Sequence, residues 1–351
     1  MKRVFYVDLI RSYAILMVVV SHVFAPVCAA MMDYPRSVWW VFNLLDSWIR
    51  PCVPLFVMIS GKLLLGSSRE DSYLRFVWRR YSGILLPFFT WSLIYAYYEC
   101  RMRGSDFSLP HAILQFLQGP TEYHLWFMYM ILGLYLVAPF LRRWVQAALP
   151  GEIQALLVLW FGFLTLQFLF PGYISFAPGI TLLNYGGYFV LGYFLDQTHY
   201  FEGKTGRLIL LSLAIILFNA GGTFLLTLWN SGILDEKFYG GVAPLIVLYA
   251  SASFLILKNI NEEAPLLKTP GLRGTVLYIS QDSFNLYLIH AFFIWLFIKG
   301  HLGFVLSEDT GPSPLIGVPL TTTAVLACSL GLSFILGKIP GVSRLFVTNK
   351  S

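Results

Sequence analysis

Three ionisable side chains fall inside the first apolar stretch of the chain, DLIRSYAILMVVVSHVFAPVC at residues 8–28. They are Asp8, Arg11 and His22. An α-helix rises ~1.5 Å and turns ~100° per residue, so Arg11 and His22 would lie ~16 Å apart along the axis and within ~20° around it. Asp8 would lie one turn before Arg11, on a neighbouring part of that face. Charged groups at membrane depth usually face a cavity or the bundle interior, so this helix is predicted to line a catalytic tunnel.

Each of these residues has a chemical role and a plainer alternative. His22 suits a general base because the ordinary pKa of histidine is near neutral; the alternative is a packed histidine bonded to a backbone carbonyl. Arg11 is always charged and suits bidentate phosphate binding; the alternative is an ion pair with Asp8, which could also orient Arg11 from behind. The face that His22 shares with Arg11 favours the functional interpretation.

A basic loop follows the second apolar stretch and holds Arg75, Arg79 and Arg80. Positively charged cytoplasmic loops are general in membrane proteins, so the loop alone is a weak signal. Arg79 and Arg80 differ because they immediately precede an apolar stretch and can face a tunnel mouth.

Several polar residues, most of them near the other ends of the apolar stretches, are candidates to bind or activate a hydroxyl group that accepts the transferred group. We call this the acceptor side. Some flank the start of an apolar stretch, where an ordinary polar boundary is the alternative. Others lie within one: the alternatives for Ser60-Gly61 are close helix packing or a backbone break, and the alternative for Asp282 and His290 is an internal polar seam. The candidates are Glu122, His124, Trp126, Ser60, Asp282 and His290.

The composition indicates what kind of fold positions these residues. Of the 351 residues, 57% are hydrophobic and 12% are charged, and the mean hydropathy is +0.69. Soluble proteins carry roughly 25% charged residues, so we predict an all-α, polytopic integral membrane protein with one domain over 1–351. About ten transmembrane helices are expected, at roughly 7–30, 46–65, 81–99, 124–141, 153–170, 180–196, 207–229, 241–257, 276–298 and 315–337.

The distribution of Lys and Arg predicts the orientation. If the N-terminus is cytoplasmic, 17 of the 24 basic residues lie on the cytoplasmic side and 6 on the other, with Arg11 inside the membrane. The positive-inside rule then places both termini in the cytoplasm. The net charge of +6 does not suggest nucleic acid, because these residues sit between apolar stretches.

The sequence gives no sign of a metal or a permanently bound cofactor. There is no P-loop, HExxH, GxSxG or CxxC pattern. Four scattered cysteines do not predict a disulfide framework, although a Cys28–Cys52 bridge stays open.

An ordered set of motifs resembles the membrane acyltransferase type 3 family, and within it the enterobacterial common antigen O-acetyltransferase type. The set is Arg11-x10-His22, VPLFVMISG at 53–61, Arg79-Arg80 before Pro87-x3-Trp91, HLWF at 124–127, LYLVAPFL at 134–141, YFVLGYFL at 188–195 and SFNLYLIH at 283–290. The chain also departs from the family pattern. Gly83 replaces the second arginine of a frequent Arg-x2-Arg pair, Lys62 stands where an aromatic residue is common, and Asn285 stands where glycine is common.

The resemblance implies a ten-helix enzyme of the bacterial inner membrane that uses acyl-CoA, here acetyl-CoA, from the cytoplasmic side. The implied acceptor is a sugar hydroxyl of a surface polysaccharide or its lipid-linked precursor, with membrane lipid around the protein. His22 matches the family's catalytic histidine, and Arg11 matches its motif arginine. The resemblance also implies that the basic loop contacts the donor, through Arg79, Arg80 and Arg75. The residues leave open a transporter or flippase without chemistry, in which the polar side chains line a substrate path, and a sensor or structural membrane protein.

Overall fold

A computed structural model describes residues 3–69, 72–171, 180–260, 262, 264–300 and 302–348. These residues form α-helices joined by short loops, and no strand occurs among them apart from one isolated bridge between Ala30 and Ile233. The helices are α1 (Phe5–Ala29), α2 (Arg36–Ile49), α3 (Cys52–Leu65), α4 (Tyr73–Tyr81), α5 (Leu85–Met102), α6 (Leu109–Gln118), α7 (Trp126–Ala147), α8 (Pro150–Leu169), α9 (Ile180–Gln197), α10 (Thr205–Trp229), α11 (Pro244–Lys258), α12 (Pro265–Lys268), α13 (Pro270–Ile298), α14 (Pro314–Lys338) and α15 (Ser343–Phe346).

Among the described residues, seven segments are long and apolar enough to cross a membrane. They are Phe5–Ala29, Arg36–Leu65, Tyr123–Ala147, Pro150–Leu169, Thr205–Trp229, Lys237–Lys258 and Pro314–Lys338. The protein is therefore an all-α polytopic membrane protein, as predicted, but the count by length and apolarity is seven rather than about ten.

The three remaining predicted spans are helices α5, α9 and α13, which fall outside that count. Each carries polar side chains that the fold buries, such as Tyr95 on α5, Asn184 on α9 and Asp282 on α13. Helices surrounded by protein need less apolar surface than helices surrounded by lipid. The buried polar side chains therefore lower the apolarity of these helices while lying inside the bundle.

The second predicted span is two helices rather than one. The helix α2 ends at Ile49, Pro51 precedes the first residue of α3, and Arg50 lies between the two helices. Proline has no backbone N–H to continue a helix, and its ring clashes with the preceding turn. The break brings the side chain of Arg50 to the side of the bundle where His22 lies.

Two glycines let α3 and α9 approach closely. A Cβ atom on Gly61 would lie 1.7 Å from the carbonyl oxygen of Phe189, and one on Gly192 would lie 2.0 Å from that of Met58. Small residues allow such backbone contact between membrane helices. Of the two interpretations of Ser60-Gly61, the close helix packing is confirmed.

The first helix runs through both hydrophobic clusters of the bundle and packs against α2, α3, α13 and α14. Its first half contributes Ile10 and Ile15 to one cluster, and its second half contributes Val23 and Val27 to the other. Large apolar side chains such as Val158 and Leu210 are exposed on the outer helices. The polar face of α1 is consequently held inside the bundle, away from this apolar exterior.

Candidate active site

A large cavity of about 1130 Å³ opens beside the first half of α1. Its basic lining residues are Arg3, Arg11, Lys62, Arg79, Arg80 and Arg344, against one acidic residue, Asp8. The predicted donor residues Arg79 and Arg80 therefore lie together with Arg11, whereas Arg75 is exposed and does not line this cavity. Ligand pockets usually have ~300–1,000 Å³, so this cavity can hold a large anion.

Arg11 enters this cavity without an acceptor among the described residues. The expected ion pair with Asp8 is replaced by two other contacts of that carboxylate: Arg3 Nε donates to Asp8 Oδ2 at 2.7 Å, and Ser280 Oγ donates to Asp8 Oδ1 at 2.6 Å. Asp8 itself is buried. The guanidinium of Arg11 is therefore left with unused donors inside a positively charged cavity.

Arg80 lies in the short helix α4, outside the apolar spans, in a strongly cationic environment. Burial lowers the pKa of its guanidinium, and the neighbouring Arg79 and Arg142 lower it further against the opposite effect of Tyr135. The Nε atom of Arg80 is buried and has no hydrogen-bond partner among the described residues. A bound anion would relieve both conditions.

Ser60 lines the same cavity, so it is not on the predicted acceptor side. Its hydroxyl lies 3.5 Å from the hydroxyl of Tyr135, which the sequence did not single out. Both side chains offer neutral hydrogen bonds among the basic groups.

A smaller cavity of about 300 Å³ lies beside the second half of α1 and is lined by His22, His124 and Trp126. His22 is half-buried, while His124 is 2% exposed, and neither ring nitrogen of His124 has a partner among the described residues. His22 and His124 therefore line the same cavity, His22 from α1 and His124 from the turn before α7.

Three histidine rings meet at this point. The ring centroids of His22 and His290 are 5.3 Å apart with 20° between the planes, and those of His124 and His290 are 5.0 Å apart. The rings of Tyr123 and Tyr287 complete the cluster. Among the described residues, no group of three or more His, Cys, Asp or Glu could hold a metal ion.

The hydrogen bonds of His290 fix its tautomer. Its Nδ1 lies 3.1 Å from the carbonyl oxygen of Leu286 and 2.9 Å from that of Tyr287. Because carbonyl oxygens only accept, Nδ1 carries the proton and Nε2 of the neutral ring is an acceptor. That Nε2 is buried without a partner among the described residues.

The two cavities are separate, which differs from the single tunnel that the sequence predicted. Arg11 lines the larger cavity and His22 the smaller one, and Phe127 and Tyr287 line both. These two rings are 5.5 Å apart between centroids, and the Tyr287 hydroxyl donates to the carbonyl oxygen of His124. The helix spacing of ~16 Å holds, but two aromatic side chains stand between the ends.

Two of the acceptor-side candidates lie elsewhere. Glu122 lines neither cavity; its Oε1 accepts from the backbone N–H of Tyr123 at 3.1 Å. Asp282 is buried and accepts from Ser333 Oγ at 2.9 Å and from Asn285 Nδ2 at 2.8 Å. Asp282 thus belongs to a polar seam of α13 and does not reach the histidine cluster with His290.

Sequence reasoning missed an ionic group in the smaller cavity. Asp46, Arg50 and Glu236 line it with His22, and Arg50 pairs with Asp46 and lies over the ring of Tyr239. The Nε of Arg50 is buried with no acceptor among the described residues. The available signal was the i,i+4 spacing of Asp46 and Arg50 inside an otherwise apolar stretch.

The four cysteines are free, so the open question of a Cys28–Cys52 bridge is answered in the negative for this structure. Both of these thiols are buried and line the smaller cavity.

The protein is a helical membrane bundle in which one helix, α1, lines both a cationic cavity and a histidine-lined cavity. The family model described as an acyltransferase domain matches residues 4–338, and the chain belongs to the acyltransferase 3 family. The same comparisons found no curated protein and no solved structure that matches the chain.

Proposed function

We propose that this acyltransferase moves an acetyl group from cytoplasmic acetyl-CoA to a hydroxyl of a surface polysaccharide or its lipid-linked precursor. The acceptor would be of the enterobacterial common antigen or O-antigen type, and the site would be the bacterial inner membrane with both termini cytoplasmic. One observation carries the proposal. A single helix, α1, contributes Arg11 to a basic cavity and His22 to the adjoining cavity, and two aromatic side chains line both.

The donor would occupy the larger cavity. Arg11 and Arg80 have unused donors there, and charge-assisted hydrogen bonds from guanidinium groups suit phosphate oxygens. The pantetheine arm is extended and would follow α1 toward His22. The acetyl thioester would then reach the smaller cavity alongside Phe127 and Tyr287, which line both cavities.

His22 would act as general base at the end of this path. It takes the proton of the acceptor hydroxyl as the oxygen attacks the thioester carbonyl; the C–S bond then breaks, and the thiolate leaves with the proton from His22. Arg50 lines the same cavity and has an unpaired Nε, which supports hydrogen bonding to the carbonyl oxygen as it becomes negative. Transfer through a transient acyl group on His22 would need the same arrangement of His22, thioester and acceptor.

The smaller cavity suits a hydroxylated acceptor. Asp46, Arg50 and Glu236 offer charged hydrogen-bonding groups, and Trp126 and Tyr185 offer ring faces 5.5 Å apart between centroids. Sugars present both hydroxyls and apolar C–H faces, which these two kinds of group complement.

The proposal is tested by measuring acetyl transfer from acetyl-CoA in membranes that carry His22→Ala or Arg11→Ala. We expect His22→Ala to lose more than ~100-fold in kcat, because general-base catalysis contributes ~10²–10⁴-fold. Arg11→Ala should mainly raise the KM for acetyl-CoA. The matched controls are His111→Ala and Arg207→Ala, two exposed positions outside both cavities.

Near-normal turnover by His22→Ala would contradict the assignment of the base. Glycan uptake or flipping without any acetyl transfer would favour the transporter alternative. A mass difference of one acetyl group between surface glycans of cells with and without the protein would identify the acceptor.

A further inference from the structure

The chain continues beyond α14 into a tail that returns to the bundle. Residues 339–348 follow Lys338, where the family match ends, and include the short helix α15. This tail packs against α5 and α14. It is therefore a part of the described structure that the family match does not cover.

Three hydrogen bonds hold the tail in place. Trp91 Nε1 on α5 donates to the carbonyl oxygen of Phe346 at 3.0 Å. The backbone N–H of Thr348 donates to Asn285 Oδ1 at 3.0 Å, and its hydroxyl lies 3.3 Å from the same oxygen. Val347, between these contacts, is only 5% exposed. The tail is thus docked rather than lying loosely on the surface.

The anchor on α13 is itself fixed. Asn285 Nδ2 donates to Asp282 Oδ1, which also accepts from Ser333 Oγ on α14. A residue without this side-chain amide could make neither bond, so Asn285 links the tail to α13 and, through Asp282, to α14.

The docked tail forms part of the larger cavity. Arg344, Val347 and Thr348 line it together with Arg11 and Arg80. Arg344 is exposed, and no ion pair or hydrogen bond of its side chain occurs among the described residues. Its five N–H donors are fixed in a planar fork that matches phosphate oxygens.

We propose that the tail is a wall of the donor cavity, latched by Asn285, and that Arg344 binds a phosphate group of the donor nucleotide. This inference rests on the proposed function, because it specifies which residues hold the donor of that reaction. It adds a positive charge from outside the matched residues to the cavity that Arg11 and Arg80 line.

The first experiment compares acetyl-CoA with acetyl-pantetheine, which has the same thioester but no nucleotide phosphates. In Arg344→Ala we expect the ratio of kcat/KM for acetyl-CoA to that for acetyl-pantetheine to fall about tenfold, as loss of one charge-assisted phosphate contact predicts. The ratio should stay at the wild-type value in Arg207→Ala, an exposed arginine outside both cavities.

The second experiment tests the latch. Asn285→Ala should raise the KM for acetyl-CoA by a similar factor with little change in kcat, and the double variant with Arg344→Ala should be no worse than the single variants. Such non-additivity is expected of residues that act as one unit. Additive effects, or a loss of stability in Asn285→Ala with an unchanged KM, would overturn the latch.

The failures of the two proposals are distinguishable. If the wild type transfers no acetyl group from either donor, the proposed function fails. If the wild type is active and Arg344→Ala keeps the wild-type donor ratio, only the tail inference fails. The same unchanged ratio, combined with activity that depends on anionic lipid, would assign Arg344 to a lipid phosphate instead.

Discussion

The imidazole of His290 touches His22 rather than either cavity, and its tautomer is set by two backbone carbonyl oxygens. This arrangement is that of a positioning residue: it presents a buried acceptor nitrogen beside the ring that is proposed to move the proton. From this position we expect His290 to affect the chemistry that we assign to His22 on α1.

We predict that His290→Phe keeps the packing of a flat ring but loses ~10-fold or more in kcat. The KM for acetyl-CoA should change little, because His290 does not line the larger cavity, where we propose that the donor binds. Steady-state kinetics in detergent check this split, and a raised KM with an unchanged kcat would mean that His290 serves the donor cavity.

Glu122, just before the span that begins at Tyr123, allows a prediction about pH. Burial raises the pKa of its carboxyl to about 7, opposed by the hydrogen bond from the Tyr123 N–H. Because the folded pKa lies above the ordinary value of 4.5, the folded state favours the protonated form. The folded protein therefore loses stability as the pH rises from that ordinary value through about 7.

Glu122→Gln mimics the protonated carboxyl, so it should raise the melting temperature at pH 8 by a few degrees and change it little at pH 5. Thermal unfolding in detergent at both pH values measures this difference. Asp106→Asn, an exposed control in the preceding loop, should give no such pH-dependent gain. An equal effect of Glu122→Gln at both pH values would contradict the prediction.

At the scale of helices, α3 packs closely against α9 and carries Ser60, which lines the larger cavity. A Cβ atom on Gly192 would meet the backbone of Met58, which cannot move as a flexible side-chain end can. Overpacking of this kind costs ~1–3 kcal/mol.

We therefore expect Gly192→Ala to lower the melting temperature and the expression level. Gly162→Ala on α8 is the matched control, because nothing lies within 4 Å of its added Cβ atom and alanine favours a helix over glycine. Equal stability of the two variants, measured by thermal unfolding, would show that α3 and α9 can separate at no cost.

The aromatic side chains that line both cavities give a second prediction at this scale. Phe127 lies at the start of α7 and lines both cavities with Tyr287. Removing its ring should widen the passage, so Phe127→Ala is expected to accept longer acyl groups.

The measurement is the kcat/KM for butyryl-CoA relative to acetyl-CoA, which should rise several-fold in Phe127→Ala. Phe89→Ala on α5, a phenylalanine outside both cavities, is the control. An unchanged preference in Phe127→Ala would mean that the acyl group follows a different route.

At the scale of the whole molecule, the excess of Lys and Arg on one side predicts the orientation. A cysteine at Gly206, in the first turn of α10 beside Lys204, should be protected from a membrane-impermeant thiol reagent in intact spheroplasts. A cysteine at Ser105, near Arg101 and Arg103, should react. Both positions are exposed, and the experiment uses a background in which Cys100 is serine. The reverse pattern would invert the protein and move the donor cavity to the outside.

The sequence by itself determined the helical character, the membrane setting and the spacing of Arg11 and His22, because each depends on local composition or on the geometry of one helix. It overestimated the number of apolar spans, since polar residues in α5, α9 and α13 are tolerated only where other helices cover them. It also missed the break between α2 and α3 at Pro51. The tertiary structure alone decided that Asp8 serves Arg3 and Ser280 rather than Arg11, and that Phe127 and Tyr287 divide the expected tunnel.

The same holds for the histidine cluster and the tail. His22, His124 and His290 are distant in the sequence, and Arg344 lies beyond the matched domain; no periodicity relates them. The meeting of the three histidines depends on how α1, α13 and the turn before α7 pack, and the place of Arg344 depends on how α15 packs. Long-range packing is set by the shape of many side chains together rather than by any local pattern.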